Sequence, residues 1–270
     1  MLKWLCITLL LYAIVPFLVH ADWHAVARAT FIPHIKFDRN FFEILVAILG
    51  TTISPYLFFW QATMEAEDFA HSRHVVVNKR LLNNMRTDVD LGMLFSNLVM
   101  FFIILTTGAV LNKSGVTQID TVDQAAQALA PLTGSFTSLL FTIGILGTGF
   151  LAIPVLAGSL SYIFAETFGW EQGLDRKFSE APGFYITIVV SLGLGLCMEF
   201  LGISPIKALL YTAILYGLTA PVMIAVILHI CNNKAIMGSY TNSRFANILG
   251  YLTLLLMTAA AIALIYFMLK

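Results

Sequence analysis

The sequence predicts an all-α integral membrane protein with about seven transmembrane helices, and three observations carry that reading. Hydrophobic residues make up 59% of the chain and charged residues 11%, with a mean hydropathy of +0.86. A soluble domain carries about 25% charged residues. Apolar runs long enough to cross a bilayer, which takes about 20 residues, recur from one end of the chain to the other. One of them, residues 44–60, is interrupted at its middle by Gly50-Thr51-Thr52-Ile53-Ser54-Pro55.

The seven expected spans are residues 2–20, 41–63, 91–112, 136–168, 183–202, 205–231 and 245–269. The first opens with Lys3 and ends in Val19-His20-Ala21 before Asp22, which imitates a signal peptide. Its apolar run outlasts an h-region of about 7 to 15 residues, so an ordinary membrane helix is expected. The second holds the break. Pro55 removes one backbone donor, so carbonyls around Gly50 to Ile53 are expected to lose their helical partners at membrane depth. Unwound backbone there is tolerated only inside protein or beside a cavity, and interrupted helices of this kind bind ions in secondary transporters.

The fourth expected span is too long for one straight helix, and Gly144, Gly147, Gly149 and Pro154 offer it a kink. In the connection 113–134, the pattern from Ile119 to Leu129 is amphipathic and suits a short segment lying at the interface. The polar stretch from Asn232 to Arg244 is a turn between the last two spans. With no internal repeat and no low-complexity linker, residues 1–270 are expected to form a single membrane domain.

Fifteen basic residues balance fifteen acidic ones, which gives no net field for nucleic acid. Placement carries more information: the segments on the side of Met1 hold nine basic residues against six on the other. The positive-inside rule then puts Met1 in the cytosol and Lys270 outside. Cys6, Cys197 and Cys231 are odd in number and sit in or beside apolar runs, as buried fillers do. No phosphate-cradling loop, nucleophile elbow or His-x-x-x-His pair suggests an enzyme.

The break Gly50-Thr51-Thr52-Ile53-Ser54-Pro55-Tyr56 resembles the interrupted sixth helix of the NRAMP (natural resistance-associated macrophage protein) divalent-metal transporters, usually Gly-Ala-Thr-Ile-Met-Pro-His. Pro221, then Asn233-Lys234-Ala235-Ile236-Met237-Gly238 and Asn247-Ile248-Leu249-Gly250, is similar to that family's passage from its tenth to its eleventh helix, and Gly144 to Gly158 to its eighth. The resemblance covers the family's fifth to eleventh helices. It implies part of a leucine-transporter-type inverted repeat in a bacterial inner membrane, moving divalent cations, with proton coupling common. The metal is then substrate, and no cofactor is implied.

The resemblance places Thr51 at a carbonyl-donating position and Ser54 where the family has a methionine thioether. A serine hydroxyl is a hard oxygen donor, so preference for soft ions is reduced. Tyr56 and Gln61 stand where many members have histidines, and Ala213 where many have a glutamine. The family's Asp-Pro-Gly-Asn motif is absent, which implies a missing N-terminal transporter half as partner, alongside the metal ion and membrane lipid.

From the residues themselves, Thr51 and Ser54 are spaced to face one cavity if the helix unwinds, while the bland alternative has Ser54 bonding the carbonyls freed by Pro55. Tyr56, Asn97, Tyr211 and Thr212 are candidate cavity residues; Thr106, Thr107, Tyr216 and Thr219 share their polar, helix-spaced pattern, for which packing between helices is the default. Glu65, Glu67, Asp68, His71 and His74 follow the break, where a solvated helix is the expectation ahead of a metal vestibule. Glu199 and His229 lie near span ends and reach interfacial water. The function expected is secondary transport of divalent metals. An amino-acid or organic-cation permease of the same fold and a truncated non-transporting fragment are the alternatives.

Overall fold

The computed structural model describes residues 11–32, 35–71, 78–112, 115, 119, 121–127 and 137–270. In chain order the helices are α1 (Leu11–Leu18), α2 (Trp23–Phe31), α3 (Arg39–Thr52), α4 (Pro55–His71) and α5 (Lys79–Thr107), which continues into a π-helical turn (Gly108–Asn112). They are followed by α6 (Val122–Ala126), α7 (Thr137–Phe168), α8 (Pro182–Phe200), α9 (Pro205–Asn232), α10 (Lys234–Met237) and α11 (Arg244–Leu269). No strand occurs among the described residues.

Helix starts follow from local chemistry. The Phe41 amide donates to Asp38 Oδ1 at 2.8 Å, that of Leu81 to Asn78 Oδ1 at 2.9 Å, and that of Ala246 to Ser243 Oγ at 3.2 Å. Each side chain satisfies one amide that the first turn leaves without a carbonyl. Pro55, Pro182 and Pro205 occupy first helical positions, where a missing N–H costs nothing.

Among the described residues, five helical stretches are long and apolar enough to cross a membrane: Arg39–Glu67, Lys79–Asn112, Thr142–Phe168, Pro205–Asn232 and Arg244–Leu269. A further apolar stretch, Pro182–Met198, lies within the 19-residue helix α8, at the place of the fifth expected span. At about 1.5 Å per residue the 19 residues of α8 come close to a core about 30 Å thick. Residues 2–10 of the first expected span lie outside the described residues.

Boundaries differ where charge hides a helix. Helix α5 starts at Lys79 rather than at residue 91, because its charged first turns are helical without being apolar. Helix α2 was not expected. Asp22 accepts from the amides of His24 and Ala25 at 3.0 and 3.1 Å and starts it. Helix α7 runs through Pro154 without interruption. Within the stretch expected at the interface, residues 122–126 form α6, where Thr121 and Gln124 exchange side-chain-to-backbone bonds at 3.3 and 3.4 Å, a capping box.

Contacts divide the chain into two units. In the unit of residues 1–33 and 59–206, α1 packs on α5 and α7 on α8. Tyr162, Ala165, Ala181 and Phe184 form a buried core there, with the Tyr162 and Phe184 rings edge to face at 4.8 Å. Pro16 in α1 leaves the Tyr12 carbonyl without its helical donor, and the buried Thr106 hydroxyl supplies one at 2.7 Å. In the unit of residues 34–58 and 207–270, α3 packs on α11 and shares a core of Phe42, Val46, Ala213, Ile214, Ala260 and Leu264. Asn232 and Asn247 exchange amide bonds at 2.9 and 2.6 Å and join the end of α9 to the start of α11.

Candidate ion site at the broken helix

The break lies within the unit of residues 34–58 and 207–270. Helix α3 continues to Thr52, only Ile53 and Ser54 leave the helical path, and Pro55 restarts it as α4. The unwound stretch is therefore narrower than the expected span from Gly50 to Ile53, since Gly50, Thr51 and Thr52 remain helical. The reason is visible in the hydroxyls. Ser54 Oγ bonds the Thr51 carbonyl at 2.9 Å and also lies 3.3 Å from that of Gly50. Pro55 cannot donate to Thr51, and Ser54 does so in its place. The Thr51 and Thr52 hydroxyls turn back to the Ile48 carbonyl at 2.9 and 2.8 Å.

This geometry is the bonding role foreseen as the alternative for Ser54. A hydroxyl that donates keeps its acceptor capacity, and the Ser54 side chain also interacts with that of Tyr56. Ser54 is 5% exposed, whereas Thr51 is exposed. The two residues thus present hard oxygen donors on one short segment, one inside the unit and one on its surface.

Helix α9 approaches the break through its smallest residues. A Cβ placed on Gly50 would collide with the Ala213 carbonyl and the Gly217 backbone, and one on Gly217 with the Val46 carbonyl. Only glycine permits this backbone-to-backbone crossing, the close approach that small residues provide between membrane helices. Beside it, the half-buried Tyr56 and Tyr216 rings lie 5.7 Å apart and tilted by 47°.

The other candidates fall elsewhere. Tyr211 is 68% exposed, and the exposed Thr212 donates to the Ala208 carbonyl at 2.8 Å. Their face of α9 is not the one that Ala213, Gly217 and Ala220 bury. Asn97 belongs to the other unit, where its amide bonds the Met93 carbonyl of its own helix at 2.8 Å. Gln61 donates to Glu65 at 2.9 Å and Tyr162 to Glu67 at 2.9 Å. Asp68 and His71 stand on α4, and His74 lies outside the described residues. Among the described residues, no three His, Cys, Asp or Glu side chains come together as a metal-holding group.

Comparison with known proteins gives these helices a context. The profile of the Nramp family, natural resistance-associated macrophage protein-like, matches residues 1–267. A divalent metal cation transporter MntH of Caldanaerobacter subterraneus is 26% identical over 245 residues, covering 90% of this chain and 55% of that protein. Another, from Clostridium acetobutylicum, is 24% identical over 260 residues, covering 94% and 56%. One from Mycobacterium tuberculosis is 23% identical over 223 residues, covering 83% and 49%. The chain spans about half the length of the curated relatives it matches. With a break at Ser54-Pro55 in an all-helical chain of membrane-crossing segments, and with a family profile matching from residue 1 to residue 267, the chain belongs to the Nramp family of integral membrane proteins.

Proposed function

We propose that a protein containing these residues carries divalent metal cations across a membrane as a secondary transporter, with the broken helix as one wall of the ion's binding site. The observation that supports this most is the pairing of a proline break with oxygen donors at Thr51 and Ser54, in a chain related to divalent metal cation transporters. The metal is substrate, and the role is not enzymatic. Neutral hydroxyl and carbonyl oxygens do not repay the dehydration of a divalent ion by themselves, so carboxylate ligands from a further helix, in an N-terminal half, belong to the proposal. Tyr56 extends the wall toward Tyr216, and proton coupling accompanies the metal. The residues form one membrane domain in a bacterial inner membrane, with Met1 in the cytosol as the nine-to-six basic asymmetry directs.

Uptake by cells with the gene intact and deleted tests this. Deletion is expected to lower Mn²⁺, Fe²⁺ or Mg²⁺ uptake and to leave amino-acid uptake unchanged. Loss of amino-acid uptake with all three metals unaffected would support the permease instead.

A further inference from the structure

Two tyrosines flank the break, and different helices set their positions. Tyr56 is the second residue of α4, inside the turn that restarts the helix, where the Leu57 amide donates to the Ser54 carbonyl at 3.1 Å. Tyr216 belongs to α9 and precedes Gly217, whose lack of a side chain lets that helix meet the Val46 carbonyl of α3. The backbone under Tyr216 is therefore packed against the first half of the broken helix. Both rings are half-buried, with centroids 5.7 Å apart and planes tilted by 47°. That separation is within the range at which aromatic pairs attract.

The hydroxyls can be ordered by counting protons. Ser54 has a single O–H, which it gives to the Thr51 carbonyl at 2.9 Å. Its side chain also interacts with that of Tyr56. With its own proton committed, Ser54 accepts in that contact and the phenol donates. One lone pair of the Ser54 oxygen then remains, and the Tyr56 oxygen adds a second hard donor beside it. The direction of the Tyr56 ring decides whether this pair stays assembled, and the ring packed on it is that of Tyr216.

We propose that Tyr216 is a positioning residue for the ion's binding site: by packing against Tyr56 it holds the phenol on Ser54, so that the Ser54 and Tyr56 oxygens meet the metal as one ordered pair. The inference rests on the transport reading of the broken helix and adds to it a residue from a second helix. Donors ordered before the ion arrives bind it more tightly than donors that must be ordered by it. Tyr216 acts through Tyr56, by its ring and not by its own hydroxyl.

The test is the initial rate of Mn²⁺, Fe²⁺ and Mg²⁺ uptake against concentration, in cells carrying the intact gene, its deletion, or the variants Tyr216→Leu, Tyr216→Phe and Tyr56→Phe. For the transported metal, KM is expected to rise about tenfold in Tyr216→Leu, which removes the ring, and in Tyr56→Phe, which removes the donor to Ser54. Tyr216→Phe keeps the ring and is expected to keep the wild-type KM. The maximal rate, corrected for protein in the membrane, is expected to stay unchanged throughout. A wild-type KM in Tyr216→Leu overturns the proposal, as does a KM raised equally in Tyr216→Phe, or a loss confined to the maximal rate. If Tyr216→Leu does not reach the membrane, a wild-type KM in Tyr56→Phe overturns it alone. Intact cells that take up none of the three metals faster than the deletion overturn the transport reading and this proposal together, whereas failure confined to the variants leaves that reading standing.

Discussion

Pro16 in α1 and Pro55 at the head of α4 create the same chemical problem and receive opposite solutions. Each leaves the carbonyl four residues earlier without its helical donor, and each carbonyl is met by a hydroxyl. At Pro55 the hydroxyl is that of Ser54, three residues beyond the Thr51 carbonyl it bonds. At Pro16 it is that of Thr106, ninety-four residues beyond Tyr12 and on another helix. A local cap makes the break self-contained, so the chain can depart from the helix there without depending on a neighbour. A remote cap instead ties α1 to α5 and turns a backbone defect into a tertiary contact. On the proposed reading, the interruption that serves the ion is the locally capped one.

The largest effect is expected from removing what surrounds the local cap. Gly217→Leu drives a side chain into the Val46 carbonyl, and backbone on both sides has little room to yield. We expect a loss of about 3 kcal/mol, read as a lowered thermal midpoint in detergent. A midpoint unchanged from wild type would mean that α3 and α9 do not cross as closely as described.

Thr106→Val comes next. It keeps the shape and removes the donor, leaving the Tyr12 carbonyl orphaned in a buried position at a cost of about 1–2 kcal/mol. Thr106→Ser is expected to restore most of the stability, and failure of that rescue would assign the loss to packing.

The smallest effect belongs to Ser54→Ala, about 0.6–1 kcal/mol, because the cap is confined to one turn and its loss leaves every contact between helices in place. Equal losses at Ser54 and Thr106 would erase the distinction between local and remote capping.

The sequence made these two regions legible to different degrees. Hydropathy and length showed where α9 and α11 lie to within a residue or two, because a membrane-crossing helix needs a long apolar run and little else. Pro55 marked the break, but its width was overread. The carbonyls of Gly50 and Thr51 can be satisfied by a residue that also reads as a ligand, and only coordinates show which way the Ser54 hydroxyl turns. Thr106 was read correctly as a packing residue, although its partner Tyr12 was not visible. Glu67 was noted among solvated charges, whereas its bond from Tyr162 was not foreseen. What joins them is the fold: Tyr162 and Glu67 are ninety-five residues apart in sequence, and no local spacing announces that meeting. Helix α2 escaped notice because its only strong signal is the Asp22 cap, with no buried face to give a period.

The most direct test of the central claim, that the locally capped break forms a wall of the ion site, is the ratio of Cd²⁺ to Mg²⁺ affinity in wild type and in Ser54→Met at one pH. Replacing a hard hydroxyl by a polarizable thioether favours the softer ion, and taking the ratio cancels any packing loss that weakens both. The account predicts a rise of about tenfold in the Cd²⁺ to Mg²⁺ ratio, equivalent to about 1.4 kcal/mol. An unchanged ratio in a folded variant would contradict it and leave Ser54 as a cap for the Thr51 carbonyl with no contact to the ion.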